Sequence, residues 1–227
     1  ALVDAVASQN EFHPALEWIE SQPWDGVDRL PQLYATLELA DESKRNLAEK
    51  LIRAWLIQAV AALVENGIAA ALVLVLAGPQ DVNKTRWVLG LCPVEDSVLE
   101  GKHVNPLDKD SVLAIVRAWI VELGELETTT RRSDIGALKA FLTSSVDTVR
   151  LPYARRDSKL RRRTVFAASV NEPGFLVDTT GNRRFGVIEV PHCTPPPADL
   201  MQQIWAQVLT YYRAGERWYL DAETKAE

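Results

Sequence analysis

A run of seven apolar residues followed directly by a glycine-led loop constrains the fold more than any other feature. Residues 71–77 read ALVLVLA, and residues 78–85 read GPQDVNKT. An unbroken run of Val and Leu is typical of a strand that is buried on both faces of a parallel sheet. Such a sheet requires helices on both sides, which predicts a three-layer α/β fold.

Three further segments predict strands of the same sheet, at 119–123 (WIVEL), 164–169 (TVFAAS) and 184–190 (RFGVIEV). Apolar residues at helical spacing predict a long helix from 41 or 42 to 65 and a final amphipathic helix over 198–213. We expect Gly67 to end the long helix in a left-handed conformation. The predicted organisation is a helical subdomain at 1–67, an α/β core at 68–190, and a proline-rich connector with the last helix at 191–227.

Composition excludes several classes of protein. The chain has 227 residues, of which 47% are hydrophobic, so it is not intrinsically disordered. Its 7 Trp predict large aromatic anchors in the core. The 2 Cys cannot form a disulfide framework, so we expect a reducing, cytoplasmic setting. No apolar stretch is long enough for a membrane helix, and the start at Ala1 suggests a fragment of a longer chain.

The loop after the first predicted strand has the pattern of a phosphate-binding loop, G-x-x-x-x-G-K-[ST]. In such a loop, backbone N–H groups surround phosphates, the Lys adds a positive charge, and the hydroxyl holds Mg²⁺. Asn83 replaces the second Gly; Asn tolerates positive φ at a cost of about 1 kcal/mol. Asp81 places a carboxylate near the phosphates. The candidate nucleotide-binding residues are Gly78, Gln80, Asn83, Lys84 and Thr85.

An ordinary strand-to-helix loop with a solvated Lys84 also explains this segment. Additional support comes from the carboxyl end of the strand at 119–123, which carries Glu122, with Glu125 three residues later. Ligands bind outside the carboxyl edge of such sheets. Glu122 is the candidate metal-side carboxylate, together with the Thr85 hydroxyl, and Glu125 is the candidate for orienting the attacking water. The alternative is that these glutamates are solvated loop residues.

Polar residues of two later segments complete the candidate site. Asn171 follows the strand at 164–169 and could bind the γ-phosphate or the water, although Asn is also an ordinary turn residue. Arg183 and Arg184 lie at a turn before the last strand, where one of them could stabilise charge on the transferred phosphoryl group. The same two residues could instead pair with surplus acidic residues.

The formal net charge of −6 conceals one strongly basic segment. Residues 150–163 contain seven basic residues and one acidic residue, so this segment carries +6 and the rest of the chain −12. Its spacing favours a loop or hairpin over a helix. Basic residues near an aromatic ring suit a nucleic-acid backbone and one stacked base, while a solvated basic edge strand is the alternative. The candidate DNA-binding residues are Arg150, Tyr153, Arg155, Arg156, Lys159, Arg161, Arg162 and Arg163.

Taken in chain order, these segments resemble the virulence-associated protein E family of phages and mobile elements. The resemblance is carried by FHPALEWIESQPWDGVDRL, LVLAGPQDVNKT, WIVELGELE, IGALKAFLTSSVDTVRLPYARR and VFAASVNEPGFLVDTTGNRRF. It implies a P-loop NTPase core like that of AAA+ and superfamily 3 helicases. Family members usually carry Gly at the positions of Asp81 and Asn83, and Thr-Thr-Asn at 169–171, where this chain has Ser-Val-Asn.

The resemblance implies that ATP and Mg²⁺ bind at Lys84 and Thr85, that Glu122 and Glu125 form the acidic motif, and that Asn171 is the sensor. It also implies that Arg183 or Arg184 reaches a neighbouring subunit in a homo-oligomeric ring. We therefore expect a helicase-like ATPase that moves along single-stranded or forked DNA during replication of a phage or mobile element in a bacterial host. Two alternatives remain: an ATPase-inactive DNA-binding or assembly module and, less favoured, a metal-dependent nuclease.

Overall fold

The structure, a computed structural model, describes residues 13–65, 67–102, 108–124, 126, 132–149, 157–172 and 184–220, with the backbone alone at 109 and 132–135. The helices are α1 (Pro14–Glu20), α2 (Leu30–Tyr34), α3 (Arg45–Val64), α4 (Lys84–Leu89), α5 (Lys109–Val116), α6 (Arg132–Leu142) and α7 (Ala198–Arg213). A 3₁₀ turn, Glu42–Lys44, leads into α3. The predicted long helix and final helix are confirmed.

A parallel sheet of five strands forms the centre of the molecule. Its strands are β2 (Val73–Ala77), β3 (Val98–Lys102), β4 (Ile120–Leu123), β7 (Val165–Val170) and β8 (Phe185–Glu189), in the spatial order β3-β4-β7-β2-β8. The four strands predicted from apolar runs are confirmed within two residues at each end. Sequence reasoning missed β3, because its residues VLEGK are half-exposed or exposed at the edge of the sheet.

Four short strands of the described ranges lie outside this sheet. The strands β1 (Leu37–Glu38) and β9 (His192–Cys193) pair antiparallel. An antiparallel hairpin is formed by β5 (Val146–Val149) and β6 (Ser158–Arg161). Strand β6 of this hairpin lies within the basic segment at 150–163, which confirms the expectation of a loop or hairpin rather than a helix there.

The two faces of the sheet carry separate apolar clusters, as a three-layer fold requires. Leu74 and Leu76 of β2 belong to a cluster shared with α1, α3, α4 and α7, whereas Val73 and Val75 belong to one shared with α5 and α6. Alternate residues of a strand point to opposite faces, so β2 must be apolar throughout. The mixed α/β class with its parallel sheet is therefore confirmed.

Tryptophan side chains join the helices to the sheet and to neighbouring loops. The indole N–H of Trp55 on α3 donates to the carbonyl of Phe166 on β7 at 2.7 Å, and that of Trp119 donates to Ala59 on α3 at 2.8 Å. Trp205 on α7 donates to Leu91 at 2.7 Å. Each ring is fully buried with its one polar atom satisfied. Residues of all three predicted segments of the chain thus meet in one core cluster.

Both cysteines are buried free thiols, and burial raises the pKa of Cys92 and of Cys193 to about 11. They act as small apolar side chains rather than nucleophiles.

In the described part of the chain, no helix is both long enough and apolar enough to cross a membrane.

Candidate functional site

A cleft of about 600 Å³ opens at the carboxyl edge of the sheet. It is lined by the loop and first turn of α4 at residues 80–86, by Glu100 and Gly101 of β3, and by the ends of β4 and β7. This is the edge at which parallel sheets bind ligands. The structure therefore places the predicted phosphate loop, Glu122 and Asn171 around one space.

The backbone of the loop after β2 is held in a tight, partly left-handed path. Asp81 and Asn83 both have positive φ, at 61° and 65°. Gly78 lies so close to the residue that follows β8 that a Cβ atom at Gly78 would be 2.0 Å from the carbonyl oxygen of Val190. The first residue must therefore be Gly. Glycine would adopt the backbone of both left-handed residues without strain.

Lys84 is the first residue of α4, and its side chain returns over the loop. Its Nζ donates to the carbonyl oxygen of Gly78 at 2.7 Å and to that of Pro79, and the residue is only 7% exposed. The alternative of a solvated Lys84 is therefore wrong. A buried ammonium beside carbonyl oxygens is a positive charge held at the mouth of the loop, where an anion can replace the carbonyls as its partner.

Thr85 joins the loop to strand β7. Its Oγ1 lies 3.3 Å from Oγ of Ser169, and both residues line the cleft. Sequence reasoning did not assign Ser169 to the site, because a serine near a strand end carries no distinguishing pattern. Only the pairing of β2 with β7, which aligns Leu76 with Ser169, brings this hydroxyl beside the helix that follows β2.

Glu122 is 2% exposed at the carboxyl end of β4. Its Oε2 accepts a hydrogen bond from the backbone N–H of Gly101 on β3 at 2.8 Å. Both residues line the cleft. This hydrogen bond lowers the cost of burying the Glu122 side chain at the strand end. Glu125 lies outside the described residues.

Asn171 follows β7 directly, is exposed, and lines the same cleft. Gln80 of the loop lines it as well. Arg184 precedes β8, whose first residue pairs with the first residue of β2. It therefore lies at the amino edge of the sheet, away from the cleft of its own chain. Arg183 lies outside the described residues.

The basic hairpin also lies at the amino edge, because β6 runs into the start of β7. Lys159 and Arg161 are exposed and Arg163 is half-buried. The candidates Arg150, Tyr153, Arg155 and Arg156 lie outside the described residues.

Arg162 requires a correction, because it is fully buried rather than displayed on the hairpin. Its Nε donates to Oδ2 of Asp147 at 2.8 Å, and its terminal nitrogens donate to Oδ1 of Asp147 and to the carbonyl of Phe141. The guanidinium carbon lies 4.2 Å from the ring centre of Phe141 and 5.7 Å from that of Phe166. Arg162 fastens the hairpin to the core and is not available to contact DNA.

Across the described ranges, His, Cys, Asp and Glu side chains form no group of three or more that could hold a metal ion alone.

One protein family and several solved structures are similar to this chain over most of its length. The family model described as the virulence-associated protein E-like domain matches residues 19–227. Among solved structures, two apo forms of the NrS-1 C-terminal region superimpose with TM-scores of 0.61 and 0.58, at 15% and 16% sequence identity. Each match covers 95% of this chain and 54% or 52% of the other, so the chain spans about half of those structures. None of the curated proteins matches the sequence.

Proposed function

The chain belongs to the virulence-associated protein E-like domain family, and from this premise we propose that it is a P-loop ATPase that moves along DNA. It would act, like a helicase, during replication of a phage or mobile element. The observation that carries the proposal is the cleft at the carboxyl edge, which gathers Lys84, Thr85, Glu122 and Asn171.

The loop fits the phosphates of ATP. Backbone N–H groups that follow one another through left-handed positions form a concave anion-binding surface, and Asp81 and Asn83 provide two such positions. Lys84 stands beside this surface and is held by carbonyl oxygens, which a phosphate oxygen can replace. A cleft of about 600 Å³ falls within the usual range for small-molecule sites.

The residues of the cleft also fit Mg²⁺ shared with the nucleotide. The hydroxyl of Thr85 and the carboxylate of Glu122 would hold the ion or its waters, and bound Mg²⁺ neutralises charge on the β- and γ-phosphates. One carboxylate oxygen of Glu122, Oε2, accepts a hydrogen bond from the backbone N–H of Gly101. We assign to Glu125 the orientation of the attacking water, and to Asn171 a hydrogen bond to the γ-phosphate or that water.

The proposed nucleotide site and the proposed DNA site lie at opposite edges of the sheet. Nucleotide would bind at the carboxyl edge, whereas the basic hairpin at the amino edge would hold single-stranded or forked DNA. Lys159, Arg161 and Arg163 supply charge for backbone phosphates in the described part of that hairpin. Arg184 lies away from its own cleft, so it could serve only the nucleotide of a neighbouring subunit, as in a homo-oligomeric ring.

ATP hydrolysis measured with and without single-stranded DNA tests the proposal. Wild-type protein should hydrolyse ATP faster with DNA, while Lys84→Ala and Glu125→Gln should abolish turnover. Lys50→Ala, an exposed lysine on α3, is the matched control and should keep it. Absence of ATP binding at millimolar concentration with Mg²⁺ would contradict the proposal.

A second candidate, an ATPase-inactive DNA-binding or assembly module, is favoured by one observation. Asp81 puts a carboxylate in the phosphate loop. This candidate predicts DNA binding that is insensitive to ATP and to Lys84→Ala, so the same variants separate the two.

A further inference from the structure

Strand β3 contains a bulge opposite Glu122. The register pairs Leu99 with Val121 and Lys102 with Leu123, which leaves Glu100 and Gly101 facing the single residue Glu122. Gly101 is in the left-handed region, with φ of 60°. A bulge of this kind turns one backbone N–H out of the ladder, and a left-handed position within it favours Gly. Here that N–H is the donor to Oε2 of Glu122.

A second glycine, Gly124, allows the bulge of β3 to pack closely against the end of β4. Gly124 follows β4, and its N–H donates to the carbonyl of Lys102 at 3.2 Å. A Cβ atom at Gly124 would lie 3.0 Å from the Cα of Gly101. The two backbones therefore approach more closely than side chains would permit, and the approach brings the Gly101 N–H to the carboxylate.

We propose that Gly101 is a positioning residue whose bulge fixes the carboxylate of Glu122 in the cleft. The bond occupies Oε2 and leaves Oε1 for the divalent cation or one of its waters. Hydrogen bonds of this kind from a neighbouring group determine how a ligating carboxylate faces its ion. The inference rests on the proposed function, because the ion is the one that would accompany the nucleotide.

The substitution Gly101→Ala tests this without creating a steric clash. A Cβ at Gly101 meets nothing within 4 Å, so the change acts only through the left-handed backbone. Gly26→Ala is the matched control: Gly26 also has positive φ, 88°, with nothing within 4 Å of its Cβ, and it lies in the turn before α2. Gly101→Asn is the conservative variant, since Asn accepts this backbone.

The measurement is the dissociation constant of Mn²⁺ in the presence of ADP, followed by the electron spin resonance of the free ion. Gly101→Ala keeps the N–H but strains the left-handed backbone, so the bulge should relax and turn the donor away from Glu122. Mn²⁺ binding should then weaken about tenfold, because the carboxylate is no longer oriented. Gly26→Ala should bind as the wild type does, and Gly101→Asn should recover most of the affinity. In a Glu122→Ala background, Gly101→Ala should cause no further loss.

Amide hydrogen exchange gives a readout that needs no ligand. The Gly101 N–H should exchange slowly in the wild type and faster in Glu122→Ala, because its acceptor is lost. Unchanged exchange, or equal losses of Mn²⁺ affinity in Gly101→Ala and Gly26→Ala, would overturn the inference and leave the proposed function intact. Wild-type protein that binds neither ADP nor Mn²⁺ would overturn both.

Discussion

The ammonium of Lys84 donates a hydrogen bond to the main-chain carbonyl of Gly78 at 2.7 Å, across the loop that connects β2 to α4. The side chain therefore stabilises the loop in the absence of an anion. To bind a phosphate, the ammonium would have to give up hydrogen bonds to these carbonyl oxygens. This places the cation of the cleft in position before any ligand arrives, so little side-chain ordering remains for the binding step.

Replacing Lys84 by Ala should weaken ATP binding about tenfold to hundredfold, the cost of a charge-assisted hydrogen bond of about 1.5–3 kcal/mol. Isothermal titration with ATP and Mg²⁺ measures the change. Lys50→Ala, far from the cleft on α3, provides the control for loss of one positive charge. Equal affinities in Lys84→Ala and the wild type would remove Lys84 from the nucleotide site.

Removing the charge of Asp81 should strengthen nucleotide binding. Asp81 lines the cleft at a left-handed position, and Asp81→Asn keeps both the size and the tolerance of positive φ. Two like charges about 4 Å apart in water repel by about 1 kcal/mol, so we expect affinity for ATP to rise about fivefold.

Asp96→Asn is the control for that experiment. Asp96 is also an exposed residue with positive φ, 58°, but it precedes β3 at the other edge of the sheet. It should leave the affinity unchanged. If Asp81→Asn has no more effect than Asp96→Asn, the carboxylate of Asp81 does not oppose the phosphates.

Local patterns predicted most of the sheet and both long helices. The helices bury one apolar face and the central strands bury two, so their sequences carry a clear apolar pattern. The unbroken apolar run predicted β2, and helical spacing predicted the helix now seen as α3. The positive φ at Asn83 also followed from the motif. The strand β3 could not be found this way, since backbone pairing with β4, rather than its own side chains, makes it a strand.

The role of Arg162 shows where the sequence alone is insufficient. Within its own segment it is one of several neighbouring cations, and nothing local distinguishes it from Arg161 or Arg163. Its partners Asp147 and Phe141 lie 15 and 21 residues away and reach it only through the hairpin. The Gly101–Glu122 contact likewise depends on two strands being neighbours in space.

Charge on the exposed face of β6 should contribute to DNA affinity through phosphate contacts. Lys159→Ala and Arg161→Ala should each weaken binding to single-stranded DNA and reduce the slope of log affinity against log salt by about 0.7. Fluorescence anisotropy at several salt concentrations measures both quantities. Lys50→Ala should leave the slope as it is; a similar change in that variant would mean that net charge, not the hairpin, controls binding.

Stability should fall as the pH drops below the ordinary range of histidine. Burial, with help from Arg163, lowers the pKa of His13 from 6.5 to about 4. The unfolded chain therefore binds a proton at a higher pH than the folded chain, and this group destabilises the fold progressively from about pH 6.5 to pH 4. Urea midpoints measured across this interval should decline.

His13→Gln should reduce that decline, because the side chain can no longer take up a proton. His192→Gln, at an exposed residue of β9, is the control for removing a histidine. A decline of the same size in the wild type and in His13→Gln would assign the pH dependence to other groups.

Breaking the buried pair of Arg162 and Asp147 should cost far more stability than removing an exposed cation of the hairpin. Arg162→Leu leaves the Asp147 carboxylate buried and unpaired, which typically costs about 3–5 kcal/mol. Asp147→Leu should cost a similar amount, whereas Arg161→Leu should change the free energy of unfolding by about 0.5 kcal/mol or less.

If the pair acts as a unit, the double variant that combines Arg162→Leu with Asp147→Leu should be more stable than either single variant, because no buried charge remains. Additive losses in urea unfolding would instead show that the two side chains stabilise the hairpin separately.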